Sequence, residues 1–298
     1  AAAFTNLTRD HLDYHKDFDA YLAAKLRLFT EIVKADGVAV VNADEPNAGA
    51  FIAAAKARSL KLITVGEKGD TLKLMARAPK AHGQELTVQF AGKSHQIVLP
   101  LAGDFQASNA LVAAGLAIGL GDPAEKVFMA LARLKGAAGR LEKVAYAKSG
   151  AAIYVDYAHT PDALETVLKA IRPHVANKLH IVFGCGGDRD KGKRPLMGAA
   201  AARLADDVIV TDDNPRSEDP ATIRKEALAG APDAREIGDR AQAIHSAIAS
   251  LQSGDILVIA GKGHEAGQTI GNEIRPFLDK DEAIKAAIAL GGHAAEAA

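Results

Sequence analysis

The sequence predicts an α/β protein of two domains, at residues 1–138 and 139–298. Its 298 residues suffice for about two domains of roughly 150 residues, each able to bury its own core. In the second segment, strand-like apolar runs alternate with helical patterns, which is typical of a mostly parallel sheet. In the first, apolar and polar residues alternate within 71–98, for example at Leu86, Val88 and Phe90, which indicates an antiparallel sheet edge.

The first domain is predicted to contain a helix at 17–34, because Leu22, Leu26, Phe29 and Val33 recur at helical spacing. The other predicted elements of this half are a strand at 38–41, a further helix and strand, the antiparallel segment at 71–98, and helices at 107–119 and 123–134. Glycine and alanine at 135–139 indicate a hinge, so we place the domain boundary near Gly139.

Four strand-like runs in the second domain each end in a loop rich in Gly, Asp, Arg and His. The strands are predicted at 152–155, 180–183, 207–210 and 256–260, and the helices at 162–172, 195–205, 220–230, 239–252 and 280–290. Ligands of open parallel sheets bind outside the carboxyl ends of the strands. The pattern therefore predicts one crevice for a small, charged ligand.

Composition argues against several classes of protein. The formal net charge of -1 lacks the basic footprint of a nucleic-acid binder, and no apolar run reaches the length of a membrane span. The single cysteine, Cys185, excludes an internal disulfide framework. We expect a cytoplasmic protein. Because the first methionine is Met75, we also expect a fragment of a longer chain, with residues 1–3 foreign or trimmed.

Residues 187–194 match a nucleotide phosphate-binding loop only in part. The glycines and Lys193 fit its first seven positions, but Arg194 stands where Ser or Thr would bind Mg²⁺. Asp188 and Asp190 would also put carboxylates where backbone amides should face phosphate. Residues 261–267 likewise miss the dinucleotide-binding fingerprint by one residue of spacing. Neither segment is therefore assigned to a nucleotide on these grounds.

The sequence Asp-Asn-Pro-Arg at 213–216 is a stronger indication of chemistry. Pro215 restricts the backbone, so Asn214 and Arg216 are expected in a rigid turn after a strand, and arginine suits bidentate binding of a carboxylate. The alternative is a turn in which Asp213 and Arg216 cap each other. Glu265, after the last strand, is expected to offer an anion to an ammonium group, unless it is a solvated loop acid.

Residues 6–15 place two histidines and two aspartates before the helix that carries Lys25. The simpler interpretation is a helix start, with aspartates favourable to the helix dipole and Lys25 in water. However, Lys25 flanks the apolar face of this helix. Partial desolvation there would let the lysine lose its proton more easily.

Together these motifs resemble the Mur ligases, most closely the branch that adds meso-diaminopimelate to UDP-N-acetylmuramoyl-L-alanyl-D-glutamate in peptidoglycan synthesis. The matching segments are 6–15 with Lys25, 42–44, 103–109, 139–142, 156–162, 184–195, 213–216 and 261–265. The resemblance implies an incomplete central ATP-binding domain with an antiparallel edge in 1–138. It implies a Rossmann-like, mostly parallel amino-acid-binding domain in 139–298.

The resemblance also implies an ATP-dependent amide-bond ligase. ATP phosphorylates a substrate carboxylate, and an amine attacks the acyl phosphate. By resemblance, His11 and a carbamylated Lys25 would hold Mg²⁺ and act in catalysis with Arg140. The ATP-binding residues would be Asn109, Arg140, Asp156 and His159. The residues holding the incoming amino acid would be Arg189, Asp213, Asn214, Arg216, Gly261 and Glu265.

Diaminopimelate carries a distal carboxylate that lysine lacks, and Asn214 with Arg216 suits that group, so diaminopimelate is favoured. The resemblance also leans toward a monomer. The chain departs from the family at Gln106, where an asparagine is usual, and the family's phosphate loop, its magnesium-binding glutamate and its UDP-sugar domain lie upstream of Asn6. We therefore expect the chain to be inactive alone. The alternatives are a lysine-adding or other Mur-type ligase, and a non-catalytic amino-acid-binding module.

Overall fold

A computed structural model describes residues 1–7, 15–80 and 83–295. The chain divides into two compact units, Ala1–Leu134 and Lys135–Ala298. The division falls at the start of the glycine- and alanine-rich segment 135–139. Among the described residues, no helix is both long enough and apolar enough to span a membrane.

The first unit is built on a six-stranded sheet. Its strands are β1 (Ala2–Phe4), β2 (Val38–Asn42), β3 (Lys61–Gly66), β4 (Leu72–Lys80), β5 (Gly83–Phe90) and β6 (Lys93–Leu99), hydrogen-bonded in that order. Its α-helices are α1 (Phe18–Arg27), α2 (Ala48–Ala57), α3 (Asp104–Leu120) and α4 (Ala124–Leu131). β1 to β4 run parallel, whereas β4, β5 and β6 pair antiparallel. The predicted sheet with an antiparallel edge is confirmed.

Helices cover both faces of this sheet, because alternate residues of a strand point to opposite faces. Val38 and Val40 of β2 belong to the core that includes α3 and α4. Ala39 and Val41 belong to the other core, which includes Phe51 of α2. All of β2 is therefore buried, as the apolar run at 38–41 requires, and Asn42 at its end is buried as well.

The amino-terminal residues form an edge strand of the first sheet. Ala2 and Phe4 are buried, and Ala2 lies opposite Ala39 in the parallel pair of β1 and β2. The Phe4 ring also stacks on Phe51, with ring centroids 3.8 Å apart. The predicted helix at 17–34 is α-helical only to Arg27 and continues as a π-helical segment, Leu28–Ile32.

The second unit is built on a seven-stranded sheet. Its strands in chain order are β7 (Glu142–Tyr146), β8 (Ala152–Asp156), β9 (Leu179–Cys185), β10 (Asp207–Asp212), β11 (Arg235–Glu236), β12 (Ile256–Ala260) and β15 (His293–Ala294). Between β12 and β15 the chain forms a separate hairpin of β13 (Gly267–Ile270) and β14 (Glu273–Pro276). The helices are α5 (Pro161–Ile171), α6 (Lys193–Leu204), α7 (Pro220–Leu228), α8 (Arg240–Ser250) and α9 (Asp279–Ala289), and a 3-10 turn, Arg172–His174, follows α5.

The strand order of this sheet is β11-β10-β9-β12-β8-β7-β15. The five strands from β11 to β8 are parallel, and β7 pairs antiparallel with both β8 and β15, so the predicted mostly parallel sheet is confirmed. Three helices begin where the sequence signals a cap. The side chains of Thr160, Asp219 and Asp239 accept hydrogen bonds from the first turns of α5, α7 and α8.

Candidate functional site

The carboxyl ends of four neighbouring parallel strands meet at one edge of the second sheet. Asp212 at the end of β10 lies opposite Cys185 of β9, and Ala260 of β12 lies opposite both Phe183 and Asp156. The polar loops that follow these strands therefore leave the sheet at the same edge. These loops are 156–162, 184–191, 213–216 and 261–265.

The turn at 213–216 is fastened from within. Asp213 and Asn214 are buried, and Asp213 Oδ1 accepts a hydrogen bond from the Asn214 backbone N–H at 2.6 Å. Arg216 has the left-handed φ of +52°, and its Nη1 donates to the Gly187 carbonyl at 2.8 Å. The alternative in which Asp213 and Arg216 cap each other is therefore wrong for the contacts described, because each side chain bonds to a different group.

Two arginines predicted to bind the amino acid flank Gly186. A Cβ atom at Gly186 would lie 3.0 Å from Arg216 Nη1 and 3.8 Å from Arg189 Cγ. Arg189 is exposed, and its Nη1 donates to the Asp188 carbonyl at 2.9 Å. Because Gly186 has no side chain, the Arg216 guanidinium and the aliphatic stem of Arg189 can both lie beside this strand end.

Asn214 and Glu265 are brought together across the crevice. Asn214 Nδ2 donates to Glu265 Oε2 at 2.9 Å, and Asn214 Oδ1 accepts from the Thr269 backbone N–H at 2.9 Å. Lys262, which is fully buried, reaches the same pair: its Nζ lies 3.3 Å from Asn214 Oδ1 and 3.4 Å from Glu265 Oε2. Glu265 thus faces an ammonium group, here one supplied by the chain itself.

Sequence reasoning did not select Lys262. Its signal was a lysine between two glycines directly after a fully apolar strand, where a charged side chain needs a partner if it is buried. Gly261, which precedes it, is predicted to contact the amino acid. Gly261 has φ +116°, and a Cβ atom there would lie 2.7 Å from Asp213 Oδ2, so the close approach of the two loops requires glycine.

The hairpin of β13 and β14 forms a further wall at this turn. The Arg216 backbone N–H donates to the Thr269 carbonyl at 3.0 Å, and the Gly271 N–H donates to the Arg216 carbonyl at 2.6 Å. Gln268 Nε2 donates to the Asp213 carbonyl at 2.7 Å. Sequence reasoning missed this hairpin, although Gly271 followed by Asn272 is a two-residue hairpin signal.

Arg194 is the residue at which 187–194 departs from the sequence of a phosphate-binding loop. Its guanidinium is fully buried and bonds to Glu218 at 2.8 Å and to Glu226 at 2.6 Å. Glu218 also accepts from the Asp188 backbone N–H at 2.6 Å. The hydrogen bond from Arg194 is the largest of the effects that lower the pKa of Glu218 to about 2. This network ties the loop of Arg189 to the segment that follows Arg216.

The predicted ATP-contacting residues of this unit lie around Tyr157, which sequence reasoning did not select. The Arg140 guanidinium lies 4.7 Å from the Tyr157 ring centre, and the His159 ring lies 4.6 Å from it. The Asp156 carboxylate accepts backbone N–H bonds from Leu141 at 2.6 Å and Ala158 at 2.7 Å. Burial raises the pKa of Asp156, although these two hydrogen bonds and the nearby cations oppose the shift.

In the first unit, Lys25 is exposed, and its Nζ lies 5.3 Å from the centre of the Tyr21 ring. The expectation of partial desolvation is therefore wrong: Lys25 lies one helical turn after the buried Tyr21, but its own side chain is exposed. Asn109 is exposed on α3. Predicted residue His11 lies outside the described residues. Within the described ranges, no three His, Cys, Asp or Glu side chains are grouped to hold a metal ion.

The chain is an α/β protein with charged and polar side chains gathered at the carboxyl ends of its parallel strands. Two family models match the chain. The Mur ligase middle domain matches residues 1–117, and the glutamate ligase domain of Mur ligases matches residues 139–263. The chain belongs to the Mur ligase family.

Its relatives include two proteins named UDP-N-acetylmuramoyl-L-alanyl-D-glutamate–2,6-diaminopimelate ligase. The one from Caulobacter vibrioides is 57% identical over 286 residues, which cover 96% of this chain and 59% of the relative. The one from Mesorhizobium japonicum is 55% identical over 288 residues, covering 97% and 59%. This chain therefore spans about three fifths of the length of these curated relatives.

A solved structure of a ligase with the same name superposes with a TM-score of 0.69 at 38% identity, covering 96% of this chain and 60% of that one. The crystal structure of MurF from Acinetobacter baumannii superposes with a TM-score of 0.67 at 21% identity, covering 87% of this chain and 56% of that one. At that identity the second likeness concerns the fold alone.

Proposed function

We propose that this chain is part of a cytoplasmic, ATP-dependent acid–amino-acid ligase of peptidoglycan synthesis. Its substrates would be UDP-N-acetylmuramoyl-L-alanyl-D-glutamate and meso-diaminopimelate. The observation that carries the proposal is the turn at 213–216, where the Asn214 amide bonds to Glu265 and the Arg216 guanidinium lies beside Gly186. The names of the relatives at 55% and 57% identity support the same choice of amino acid.

The residues in the crevice suit an amino acid with a charged distal end. Arg216 and Arg189 supply guanidinium groups, which bind carboxylates in bidentate geometry. Glu265 Oε2 is engaged by Asn214 and Lys262, and its Oε1 would accept from an ammonium group. Lysine has no distal carboxylate and would bring no anion to these guanidinium groups. Diaminopimelate would satisfy both kinds of group.

The residues around Tyr157 fit the polar parts of ATP. The exposed Arg140 suits phosphate, and Asp156, whose oxygens each accept one backbone hydrogen bond, has lone pairs left for a ribose hydroxyl. When bound, ATP would supply the phosphoryl group that activates the substrate carboxylate. Asn109 would contact the adenine, and His159 would lie near the nucleotide. Mg²⁺ would be held by His11 and a carbamylated Lys25, whose exposed side chain is open to carbamylation.

The proposal includes two domains and a lack of turnover by the chain alone. We assign residues 1–138 to the central ATP-binding domain and 139–298 to the amino-acid-binding domain. Asp213 and Gly261 would help to hold the amino acid by keeping their two loops, 213–216 and 261–265, close together. From the family resemblance we expect a monomer. The chain spans about three fifths of the length of its relatives, and we expect it to bind the amino acid without ligating alone.

Calorimetric titration of the purified chain with meso-diaminopimelate, and separately with L-lysine, tests the proposal. We expect saturable binding of meso-diaminopimelate alone. Preference for L-lysine would move the chain to a lysine-adding branch. Binding of neither would overturn the proposal that this crevice, as it stands, selects the amino acid. ATP-dependent amide formation by the chain alone would contradict the expected lack of turnover.

A further inference from the structure

Lys262 is a fully buried lysine at the edge of the candidate crevice. Burying an ammonium group is unfavourable unless it is paired and hydrogen-bonded, and an apolar side chain of similar length would fill the same space at lower cost. It comes directly after β12, at the carboxyl end of the strand. The charge therefore needs an explanation beyond packing.

All three ammonium hydrogens of Lys262 have partners. Nζ donates to the Gly267 carbonyl at 2.6 Å, and lies 3.3 Å from Asn214 Oδ1 and 3.4 Å from Glu265 Oε2. With its donors used, Lys262 has no hydrogen left for a ligand. Any effect on ligand binding must pass through the groups that it holds.

Those groups are the two side chains that face the amino acid in the proposed function. Asn214 Oδ1 is turned inward by Lys262 and by the Thr269 N–H, so Nδ2 points to Glu265 Oε2. Glu265 is the most exposed of these three side chains, at 35%, and would be hydrated if released. The Lys262 ammonium attracts the Glu265 carboxylate and so keeps it in contact with Asn214.

We propose that Lys262 is a positioning residue that holds Glu265 against Asn214, so that the pair presents a fixed hydrogen-bond donor beside a fixed anion. This inference rests on the proposed function for its consequence in binding. Without the ammonium, Glu265 turns toward water and Asn214 loses both a partner for Oδ1 and the acceptor that orients Nδ2. A zwitterionic amino-acid centre then meets two side chains in several arrangements instead of one.

The first test is a double-mutant cycle read by calorimetry with meso-diaminopimelate. Lys262→Met keeps the length of the side chain and removes the charge, and we expect it to weaken binding about tenfold or more. In a Glu265→Gln background the same change is expected to cost much less, because the charge attraction is already absent. A packing role predicts equal penalties in both backgrounds. Equal penalties would overturn the inference.

The matched control is Lys280→Met, because Lys280 is also paired, to Glu142 at 2.7 Å, but is 43% exposed and belongs to α9. It is expected to leave meso-diaminopimelate binding unchanged. Circular dichroism checks that each variant is folded. If Lys262→Met does not fold, Lys262→Gln, which keeps a single donor group, replaces it in the same cycle.

A second readout needs no ligand and separates failure of this inference from failure of the proposed function. The side-chain amide signals of Asn214 in a ¹H–¹⁵N spectrum are assigned by their loss in Asn214→Ala. In the wild type we expect slowly exchanging amide protons, and in Lys262→Met shifted and faster-exchanging ones. If the wild type does not bind meso-diaminopimelate, an unchanged Asn214 signal in Lys262→Met overturns the positioning role, and a changed one supports it.

Discussion

Arg240 and Asp279 form a completely buried ion pair, with Nε and Nη2 of the arginine each 2.7 Å from a carboxylate oxygen. Arg240 also donates to the carbonyls of Asp212 at 3.3 Å and Ala260 at 2.9 Å. Those carbonyls end β10 and β12, one residue before two loops of the candidate site. The pair therefore fastens the two strand ends to the first turns of α8 and α9.

Asp279→Ala is expected to destabilise the second unit by about 3 to 5 kcal/mol, because it leaves the Arg240 charge buried without its partner. Urea denaturation followed by circular dichroism measures the change. Asp281→Ala is the control, since Asp281 lies in the same first turn of α9 but is exposed. It is expected to change the free energy of unfolding by about 1 kcal/mol or less. Equal losses in the two variants would contradict the role of the pair.

Gly261→Ala combines two costs. Its φ of +116° disfavours any side chain, by about 1 to 3 kcal/mol, and the new Cβ would press on the buried Asp213 carboxylate. Gly121→Ala isolates the first cost, because Gly121 has φ +110° and nothing within 4 Å of the added Cβ. We expect the larger loss of unfolding free energy, and loss of meso-diaminopimelate binding, in Gly261→Ala. Equal losses of unfolding free energy in the two variants would mean that the Asp213 carboxylate can move away from the new Cβ without destabilising the fold.

Arg216→Ala is expected to weaken meso-diaminopimelate binding by about 2 to 5 kcal/mol, the usual cost of leaving one member of a charge pair unpaired. Calorimetry measures the affinity. Arg275→Ala is a suitable control, because Arg275 is 63% exposed on the neighbouring hairpin and pairs with Glu273. Unchanged affinity in Arg216→Ala would remove the distal-carboxylate assignment.

Glu218 is expected to make the free energy of unfolding fall at acidic pH. Mainly through its hydrogen bond from Arg194, its pKa in the folded protein falls from 4.5 to about 2. Because the folded-state pKa is depressed, the contribution of the ionised group is complete above about pH 4.5 and is lost as the pH falls toward 2. Glu218→Gln should therefore lower unfolding free energy at neutral pH, with a difference from wild type that shrinks in acid.

Urea denaturation of wild type and Glu218→Gln across this pH range measures that difference. Glu273→Gln, at a glutamate 71% exposed on β14, provides the comparison. Its difference from wild type is expected to be small, because exposed ion pairs contribute little. A difference for Glu218→Gln that stays constant down to the lowest measurable pH would refute the linkage to Arg194.

The central strands could be predicted because their signals are local. β8 and β12 are buried at every position, and their sequences are correspondingly apolar, except for Asp156 at the end of β8. Thr160 before Pro161 likewise marks the start of α5 without reference to the rest of the chain. The same holds for the family motifs, which consist of neighbouring residues.

Short strands were missed because their partners are distant in sequence. β1 has only Ala2, Ala3 and Phe4, and it is a strand because it pairs with β2 some 35 residues later. β15 has two residues and pairs with β7, from the opposite end of the unit. Neither segment carries enough apolar alternation to be recognised alone.

The sequence by itself determined which chemical groups follow the strands: an amide and a guanidinium at Asn214 and Arg216, and a carboxylate at Glu265. Tertiary structure decided which atoms of those groups are engaged. β12 enters the sheet between β8 and β9, and this places Lys262 beside a turn 48 residues earlier in the chain. A change of a few tenths of an ångström in the donor–acceptor distance can make or break a hydrogen bond. Between residues remote in sequence, that distance is set by strand order and packing rather than by local sequence.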